Sequence, residues 1–373
     1  MLQLKNILRV FILLIALSVQ VKAQESFTIN GLVTDSLSGE TLIGVSLKFI
    51  GKAQLGTSTN AYGFYSYRLS PGEYAINVSY IGYRSIIKKI TVDKDLKLDL
   101  KMVPDNVLEE IIISSEKRNE NLVNAQMGIA KVNISEIKNV PVLFGERDIL
   151  KTIQLIPGIK PAGEGNSGFY VRGGATDQNL ILLDEAPVYN ASHLLGFFST
   201  FNSDAIKDVS VYKGGMPAQY GGRLSSVLDI RMNDGNKKEY TAEGGIGLIS
   251  SRLKVEGPLS KDKSSFMISG RRTYADAFLA FSGDSSIKNN TLYFYDLNAK
   301  ANYQIDNKNT IYMSGYFGRD ELGLSETFGF GWGNATATLR WNHIFNNRMF
   351  SNTSLIYSNY DYKIENFLEE NSF

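Results

Sequence analysis

Few side chains in this sequence could carry covalent or metal chemistry. The 373 residues include no cysteine and only two histidines, His193 and His343. The lack of cysteine excludes disulfide frameworks, thiolate zinc sites and thiol nucleophiles. A lone histidine specifies no metal, and we identify no nucleophile–base pair or paired acids. We therefore expect no cofactor, no metal site and no enzymatic activity.

Four charged residues and three pairs of glycine lie in the middle of the chain. The charged residues are Arg172, Asp184, Arg223 and Asp229, and the glycines are Gly173, Gly174, Gly214, Gly215, Gly221 and Gly222. Such glycines supply positive φ or close backbone approach, and no Gly-Lys-Ser/Thr follows them, so a phosphate-binding loop is not indicated. Because an isolated buried charge is costly, we expect the four charged residues to form ion pairs rather than to contact substrate.

His193 lies within Asn190–Phe198 and leaves two interpretations open. It could line an exposed apex that contacts a ligand, or it could be an ordinary loop histidine, which is the commoner case.

The overall charge of the chain excludes one class of partner, although it says little about a ligand. With 39 basic and 38 acidic residues the net charge is +1, whereas nucleic-acid binders carry a clear basic excess.

The N-terminus has the three-part layout of a secretory signal peptide. Lys5 and Arg9 precede the apolar run Val10–Leu17, and Val21–Ala23 offers residues that a signal peptidase accepts. The alternative is a membrane anchor, but this run is too short to cross about 30 Å of hydrocarbon. We expect cleavage after Ala23. Beyond that point no stretch approaches the roughly 18 apolar residues of a membrane helix, so entry into a membrane would require a β-barrel.

The residues after the signal alternate as in a small β-sandwich. Strand patterns occur at Ile29–Asp35, Leu47–Ile50, Gly63–Leu69 and Tyr74–Tyr80. Turn signals such as Pro71-Gly72 recur about every ten residues, which is typical of such sandwiches.

From about residue 237 the chain consists of long amphipathic strands. In Leu297–Ile305 and Ala335–Asn342 the odd positions are apolar or small and the even ones polar. Period-2 alternation puts the two sets on opposite faces of a sheet. One interpretation is a half-buried sheet of a soluble domain. The other, favoured by export and strand length, is an outer-membrane sheet. Aromatic clusters fit interfacial girdles of such a sheet, namely Tyr293–Tyr295, Phe328–Trp332, Tyr357, Tyr360 and Tyr362.

Counting these strands predicts an incomplete barrel. We find about six between Tyr240 and Ile364, each with roughly the 9–11 residues of a tilted spanning strand. That number does not close a barrel, because the smallest bacterial barrels use about eight strands. We therefore expect the chain to be the front part of a longer protein.

Five linked elements follow one another in the middle of the chain. They are Phe144–Ile159, a helix pattern ending in Pro157-Gly158, then Phe169–Gly174, Asn179–Tyr189, Ile206–Gly215 and Gln219–Arg231. Together they resemble the plug domain of TonB-dependent outer-membrane receptors. They follow one another in the order of that family. Glu185 stands where the family usually has glycine after the aspartate.

The flanking segments agree with this resemblance. Residues 26–101 resemble the carboxypeptidase-regulatory-like sandwich that often precedes such plugs, through Gly63-Phe64, Pro71–Tyr74 and Ile81–Tyr83 among others. The family places its energy-coupling segment, the TonB box, between sandwich and plug. The matching candidates here are Leu108, Glu109, Glu110, Ile111, Ile112, Ile113 and Ser114. A short β-prone run can add to a partner's sheet edge, although a linker strand packed on its own domain is the alternative.

The resemblance implies a mainly β fold, with an N-terminal β-sandwich, an α+β plug and antiparallel outer-membrane β-barrel strands of an incomplete barrel. The predicted boundaries are 1–23 for the signal peptide, 24–103 for the sandwich, 104–124 for the linker, 125–235 for the plug and 236–373 for the first barrel strands. It implies an outer membrane of a Gram-negative bacterium, with the sandwich in the periplasm.

The implied activity is uptake of a scarce extracellular nutrient, either a siderophore, cobalamin, an oligosaccharide or a peptide. The inner-membrane TonB complex would supply the energy, and a surface lipoprotein partner stays open. Two alternatives from other classes are a non-transporting signalling or adhesion protein and an exported hydrolase. The second lacks any recognisable catalytic set.

Overall fold

A computed structural model describes residues 25–50, 55–105, 128–132, 147–279, 281–288, 290–324 and 328–366. The predicted signal peptide and the segment Leu108–Ser114 lie outside the described residues. The described chain forms three units, which we call the sandwich (25–105), the plug (128–235) and the wall (241–366).

The sandwich contains eight strands in two sheets. They are β1 Phe27–Asp35, β2 Ser46–Ile50, β3 Leu55–Ser58, β4 Phe64–Leu69, β5 Gly72–Ser79, β6 Ile86–Val92, β7 Leu96–Lys97 and β8 Leu100–Met102. One sheet has the order β4-β1-β7 with β8 also on β1, and the other has the order β3-β2-β5-β6. Their facing sides bury alternate residues, including Ile29, Phe49, Ile76 and Val78. This period-2 burial confirms the predicted half-buried strands.

The plug contains short strands around a five-stranded sheet. Its strands are β9 Ile129–Val132, β10 Ile159–Pro161, β11 Phe169–Val171, β12 Asn179–Leu183, β13 Ala186–Pro187, β14 Ser192–His193, β15 Phe198–Ser199, β16 Ile206–Tyr212 and β17 Ser226–Met232. The main sheet has the order β13-β12-β17-β16-β9, in which only β12 and β17 are parallel. Its core continues into the wall, because Met267 and Tyr316 belong to the same buried cluster.

The helix predicted before Pro157 is shorter than its apolar spacing indicates. Helix α1 spans only Ile149–Ile153, and Asp148 caps its N-terminus, where its Oδ1 accepts the N–H of Lys151 at 3.1 Å. Oδ2 of Asp148 accepts the N–H of Ser199 at 2.8 Å, so the same side chain also holds the β14–β15 hairpin. Ile156 lies in a turn beyond the helix. None of the helices in the described ranges has the length and apolar character needed to cross a membrane.

The wall is one antiparallel sheet of seven strands in chain order, not about six. The strands are β18 Thr241–Ile246, β19 Ser250–Ser260, β20 Ser264–Thr273, β21 Thr291–Gln304, β22 Asn309–Leu324, β23 Phe328–Asn346 and β24 Met349–Asn366. Two short helices, α2 Ala275–Leu279 and α3 Ser285–Lys288, lie between β20 and β21. Several strands exceed the predicted length, and β23 has 19 residues. In the described residues the two edge strands do not pair, so the sheet is open.

The wall exposes its apolar face and buries its polar one. On β21, Asn298, Lys300 and Asn302 are at most 4% exposed, whereas Leu297 and Tyr303 are about half exposed. Strand β23 repeats this arrangement, with Arg340 buried and Leu339 exposed. A soluble half-buried sheet has the opposite arrangement, because its apolar side chains face the core. The structure therefore favours the outer-membrane interpretation of the alternation.

The predicted aromatic girdle is partly wrong. Trp332 is only 2% exposed, and its indole nitrogen lies 3.4 Å from the Ser192 carbonyl of the plug. The Trp332 side chain therefore lies on the inner face of the wall. Tyr362 pairs across the sheet with Trp332 and shares its face. Tyr295 and Tyr357 do lie on the outer face with the exposed apolar residues.

Candidate functional site at the plug–wall interface

The inward face of the wall meets the plug through buried charged side chains. They form three groups, which we call the His193 cluster, the Lys300 cluster and the Glu185 cluster. Each joins side chains of the plug to side chains of the wall, and the last two also include a residue of the sandwich. Because buried charges are stable only when paired, these clusters decide how the plug is held.

The His193 cluster fixes the plug segment that follows β14. His193 Nδ1 lies 2.6 Å from Oδ2 of Asp320 on β22, and Nε2 lies 3.4 Å from Oδ2 of Asp296 on β21. Asp320 also accepts the N–H of Leu194 at 2.8 Å. Arg271 on β20 completes the group at 2.7 Å from Asp296.

Charge and ring stacking both hold the imidazole. Its ring lies flat on Phe294, with centroids 4.0 Å apart. Burial alone lowers the pKa of His193, but the carboxylates of Asp320 and Asp296 more than offset this, so that its pKa lies above the usual range. The protonated imidazolium is therefore the form that this cluster favours.

The structure places His193 away from any exposed surface. The residue is 1% exposed, and both ring nitrogens face carboxylates. Contact with a ligand stays a prediction, and it would require the ring to leave its two partners. Leu195 and Phe197, on the same turn, are more than half exposed.

The Lys300 cluster joins all three units. Lys300 on β21 lies 3.0 Å from Asp184 and 2.9 Å from Asp234, both in the plug. Asp234 also pairs with Lys207 of β16 at 2.8 Å, and Lys207 lies 3.5 Å from Glu40 of the sandwich. Glu40 in turn accepts the backbone N–H of Asp234.

The members of this cluster are not held equally. Burial opposes ionisation of both Lys207 and Asp234, but their mutual attraction, helped by Glu40 and Lys300, raises the pKa of Lys207 and lowers that of Asp234. Burial and the nearby Asp234 carboxylate instead raise the pKa of Glu40 despite Lys207. Glu40 is therefore the weakest ionic member of the group.

The Glu185 cluster grows from a strained two-residue turn between β12 and β13. Asp184 has φ 45° and Glu185 has φ 76°, values typical of the type I′ hairpin turn, which favours glycine. The carboxylate of Glu185 lies 3.1 Å from Arg231 of the plug and 3.4 Å from Arg340 of the wall. Tyr62 of the sandwich donates its hydroxyl to Glu185 at 2.6 Å.

Two further wall side chains donate to Glu185. Asn352 donates at 3.1 Å, and the hydroxyl of Ser354 also donates. Burial raises the pKa of Glu185, but Arg231 and Arg340 and these donors outweigh it, so that the pKa falls to about 2. Glutamate, at a turn position whose φ favours glycine, thus introduces a side chain that accepts from donors of all three units.

The residues predicted to form ion pairs divide into two groups. Asp184 pairs with Lys300, and Asp229 pairs with Arg231 at 3.0 Å. Arg172 and Arg223 are exposed and form no ion pair among the described residues.

Most of the predicted plug glycines adopt positive φ. Gly173, Gly214, Gly215 and Gly222 do so, with φ between 61° and 157°. Gly174 does not, but a Cβ there would lie 2.3 Å from Ser225 Oγ, so close approach requires glycine.

Sequence reasoning missed several partners of these clusters, which come from all three units. They are Glu40, Tyr62, Lys207, Arg231, Lys300, Asp320 and Arg340. For Lys300 and Arg340 a signal existed, because both occupy the polar face of an alternating strand. No group of three His, Cys, Asp or Glu side chains in the described ranges could hold a metal ion.

Comparison with known proteins agrees with this architecture. Residues 29–113 match the family model of the CarboxypepD_reg-like domain, and residues 125–226 match that of the TonB-dependent receptor plug domain. The chain therefore carries the plug domain of the TonB-dependent receptors, preceded by a CarboxypepD_reg-like domain.

The relatives are distant and much longer than the chain. It is 26% identical over 196 residues to the ferrienterobactin receptor of Escherichia coli (strain K12), which covers 44% of this chain and 26% of that protein. It is 26% identical over 215 residues to a TonB-dependent receptor of Formosa agariphila, covering 54% and 20%. The chain thus spans about a quarter or less of these relatives. Among solved structures, the siderophore receptor PirA from Pseudomonas aeruginosa has 15% identity and a TM-score of 0.49, covering 64% of this chain and 41% of that one.

Proposed function

We propose that the protein is an outer-membrane transporter that takes up a scarce nutrient with energy from the inner-membrane TonB complex. The observation that carries this proposal is the wall, whose exposed face is apolar and whose buried face is polar. Such a sheet is stable when lipid covers one face and a polar plug covers the other. The nutrient is a siderophore, cobalamin, an oligosaccharide or a peptide.

The chemistry of the plug–wall interface supports a plug that can move. Ion pairs and hydrogen bonds dominate the contacts that join His193, Lys300 and Glu185 to their partners. Interfaces between domains that move relative to each other are more polar than permanent ones. Water can replace polar contacts as the plug shifts, whereas an apolar interface would resist exposure.

The coupling segment of the proposal is Leu108–Ser114. It follows the last described sandwich residue, Asp105, and precedes Gly128, where the plug begins. A strand at this place could pair with a sheet edge of the TonB protein and transmit a pull to the plug. Ligand would approach from the opposite, extracellular side.

The test is uptake of labelled ligand by cells that make the protein as it naturally exists. Ferric enterobactin is the first probe, since one relative is a ferrienterobactin receptor, followed by cobalamin, oligosaccharides and peptides. We expect uptake to require an intact TonB complex and to stop when residues 108–114 are replaced by a Gly/Ser linker of equal length. The matched control replaces residues 115–121 in the same way. Binding without uptake of any probe, under conditions where the TonB complex serves another receptor, would favour a signalling or adhesion protein.

A further inference from the structure

The contacts of the sandwich suggest a role for this domain beyond that of a spacer. We propose that the sandwich is a clamp that holds the plug against the wall in the resting receptor, with Glu40 and Tyr62 as its positioning residues. The inference rests on the proposed function, since a clamp on the plug matters only if the plug moves. Its direct consequence is that the sandwich must release before the plug can leave the wall.

The first half of the clamp grips the plug beside the Lys300 cluster. Glu40 accepts the N–H of Asp234 and lies 3.5 Å from Lys207. Next to it, the carbonyl of Ser38 accepts the N–H of Lys237 at 2.8 Å. These contacts hold the chain at the point where it passes from the plug to the wall.

The second half grips the wall at the end where β23 turns into β24. The ring of Tyr62 stacks on Phe350 with centroids 5.4 Å apart, and Phe64 stacks on the same ring at 5.5 Å. Arg348 donates to the hydroxyl of Thr28 at 3.1 Å. The hydroxyl of Ser66 donates to a carbonyl of the same turn at 2.8 Å.

Tyr62 connects the two halves. Its hydroxyl donates to Glu185 of the plug at 2.6 Å, while Arg340 of the wall lies over its ring at 5.0 Å. Glu185 and Arg340 are themselves 3.4 Å apart. One sandwich residue therefore covers an ion pair that joins plug to wall, and its removal would admit water to that pair.

The clamp is built to release without unfolding the sandwich. Neither Glu40 nor Tyr62 belongs to the apolar core of the sandwich, which forms between its own two sheets. Glu40 is also held weakly, because Lys207 is already paired with Asp234 at the shorter distance of 2.8 Å. Residues 106–127 join the sandwich to the plug, so a pull on them acts on both the sandwich and the plug.

The clamp is tested by a distance measurement on the purified, naturally occurring protein. Residues 1–373 contain no cysteine, so Lys97→Cys in the sandwich and Lys308→Cys in the wall can carry the spin labels once any cysteine elsewhere in the protein has been replaced by serine. Both residues are exposed, and they line opposite sides of a cavity of about 550 Å³ between the two units. In the unmodified clamp we expect one narrow distance distribution. In Glu40→Ala/Tyr62→Ala we expect a second population at longer distance. The ratio of this population to the short-distance one should rise about ten-fold for each lost hydrogen bond to a charged partner.

A leak measurement follows the plug itself. In cells that lack the TonB complex, the same double variant should increase sensitivity to a large antibiotic that the outer membrane excludes, such as vancomycin. The matched control is Glu73→Ala, which removes an exposed carboxylate from β5 of the same domain. Thermal unfolding of the sandwich should be the same in all three proteins, which excludes general destabilisation.

The two proposals fail in different ways. If the double variant matches the control in both distance and leak, the clamp is wrong, whatever the protein transports. If the distances change as expected but the unmodified protein takes up none of the probes, the clamp stands and the transport proposal fails.

Discussion

Glu185 of the plug lies 3.4 Å from Arg340 of the wall while its backbone adopts a φ of 76°. A side chain at this φ costs about 1–2 kcal/mol, which glycine would avoid. The carboxylate offsets this cost, because in a partly buried place it contacts Arg231, Arg340 and three neutral donors. Strain and ion pairing therefore act on one residue in opposite directions.

We expect Glu185→Gly to destabilise the plug although it relieves the backbone. Loss of the carboxylate leaves Arg340 buried without its acidic partner, which should outweigh the relieved strain by about 2 kcal/mol. Urea unfolding, monitored by hydrogen exchange of the β12 amides, measures the difference in free energy of unfolding between the two proteins. Glu164→Gly, which removes an exposed carboxylate from another plug loop, is the control and should change little. A Glu185→Gly protein more stable than the original would show that strain dominates.

The pKa of Glu185 gives a second, independent prediction. Because the pKa falls to about 2 in the folded protein, the ionised carboxylate contributes stability above its unfolded pKa. That contribution is lost as pH falls from about 4.3 towards 2. Unfolding measured between pH 6 and pH 3 should show this loss, and Glu185→Gln should remove most of it. Equal pH slopes in the two proteins would contradict the assignment.

His193 predicts the opposite pH dependence. Its pKa is raised in the folded protein, so its contribution is complete below the unfolded value of about 6.5 and is lost as pH rises through the folded pKa. We expect protection of β14 and β15 from hydrogen exchange, corrected for intrinsic rates, to decrease in alkaline buffer. His193→Gln should show no such decrease. A wild-type protein with constant protection up to pH 10 would argue against the charged imidazolium.

Lys300 allows a double-mutant cycle across the plug–wall interface. Lys300→Met leaves Asp184 and Asp234 without their wall cation, which should cost about 3 kcal/mol. Adding Asp184→Asn removes one uncompensated charge and should restore part of the loss. Lys363→Met, at an exposed site on β24, is the matched control. Additive effects of the two substitutions would mean that the 3.0 Å contact contributes no coupling energy.

The outer face of the wall predicts how the protein meets lipid. Leu339 is 48% exposed at the middle of β23, so Leu339→Arg should cost about 2–4 kcal/mol at the centre of a bilayer. We expect a smaller heat-modifiable fraction in outer membranes. Leu339→Phe should insert normally. If both variants insert equally well, lipid does not cover this face.

The sequence alone predicts which wall residues face inward, because alternation in a strand determines its two faces. Applied consistently, it would also have placed Trp332, which has the same parity as Arg340, on the inner face. Aromatic composition alone carries no such phase, which is why the cluster around Trp332 does not follow the predicted girdle. The partners of buried charges are harder to predict, since His193 and Asp320 lie 127 positions apart. Nothing in local pattern pairs such residues, and only the packing of plug on wall brings them together.

The shared acceptor Glu185 also limits how this receptor can be recombined. A designer who transplants the plug into another barrel would separate Glu185 from Arg340, Asn352 and Tyr62 in a single step. The chimera would then hold a strained turn that keeps Arg231 but lacks its partners from the wall and the sandwich. Sandwich, plug and wall therefore form one exchangeable cassette, and functional hybrids should arise when all three are swapped together.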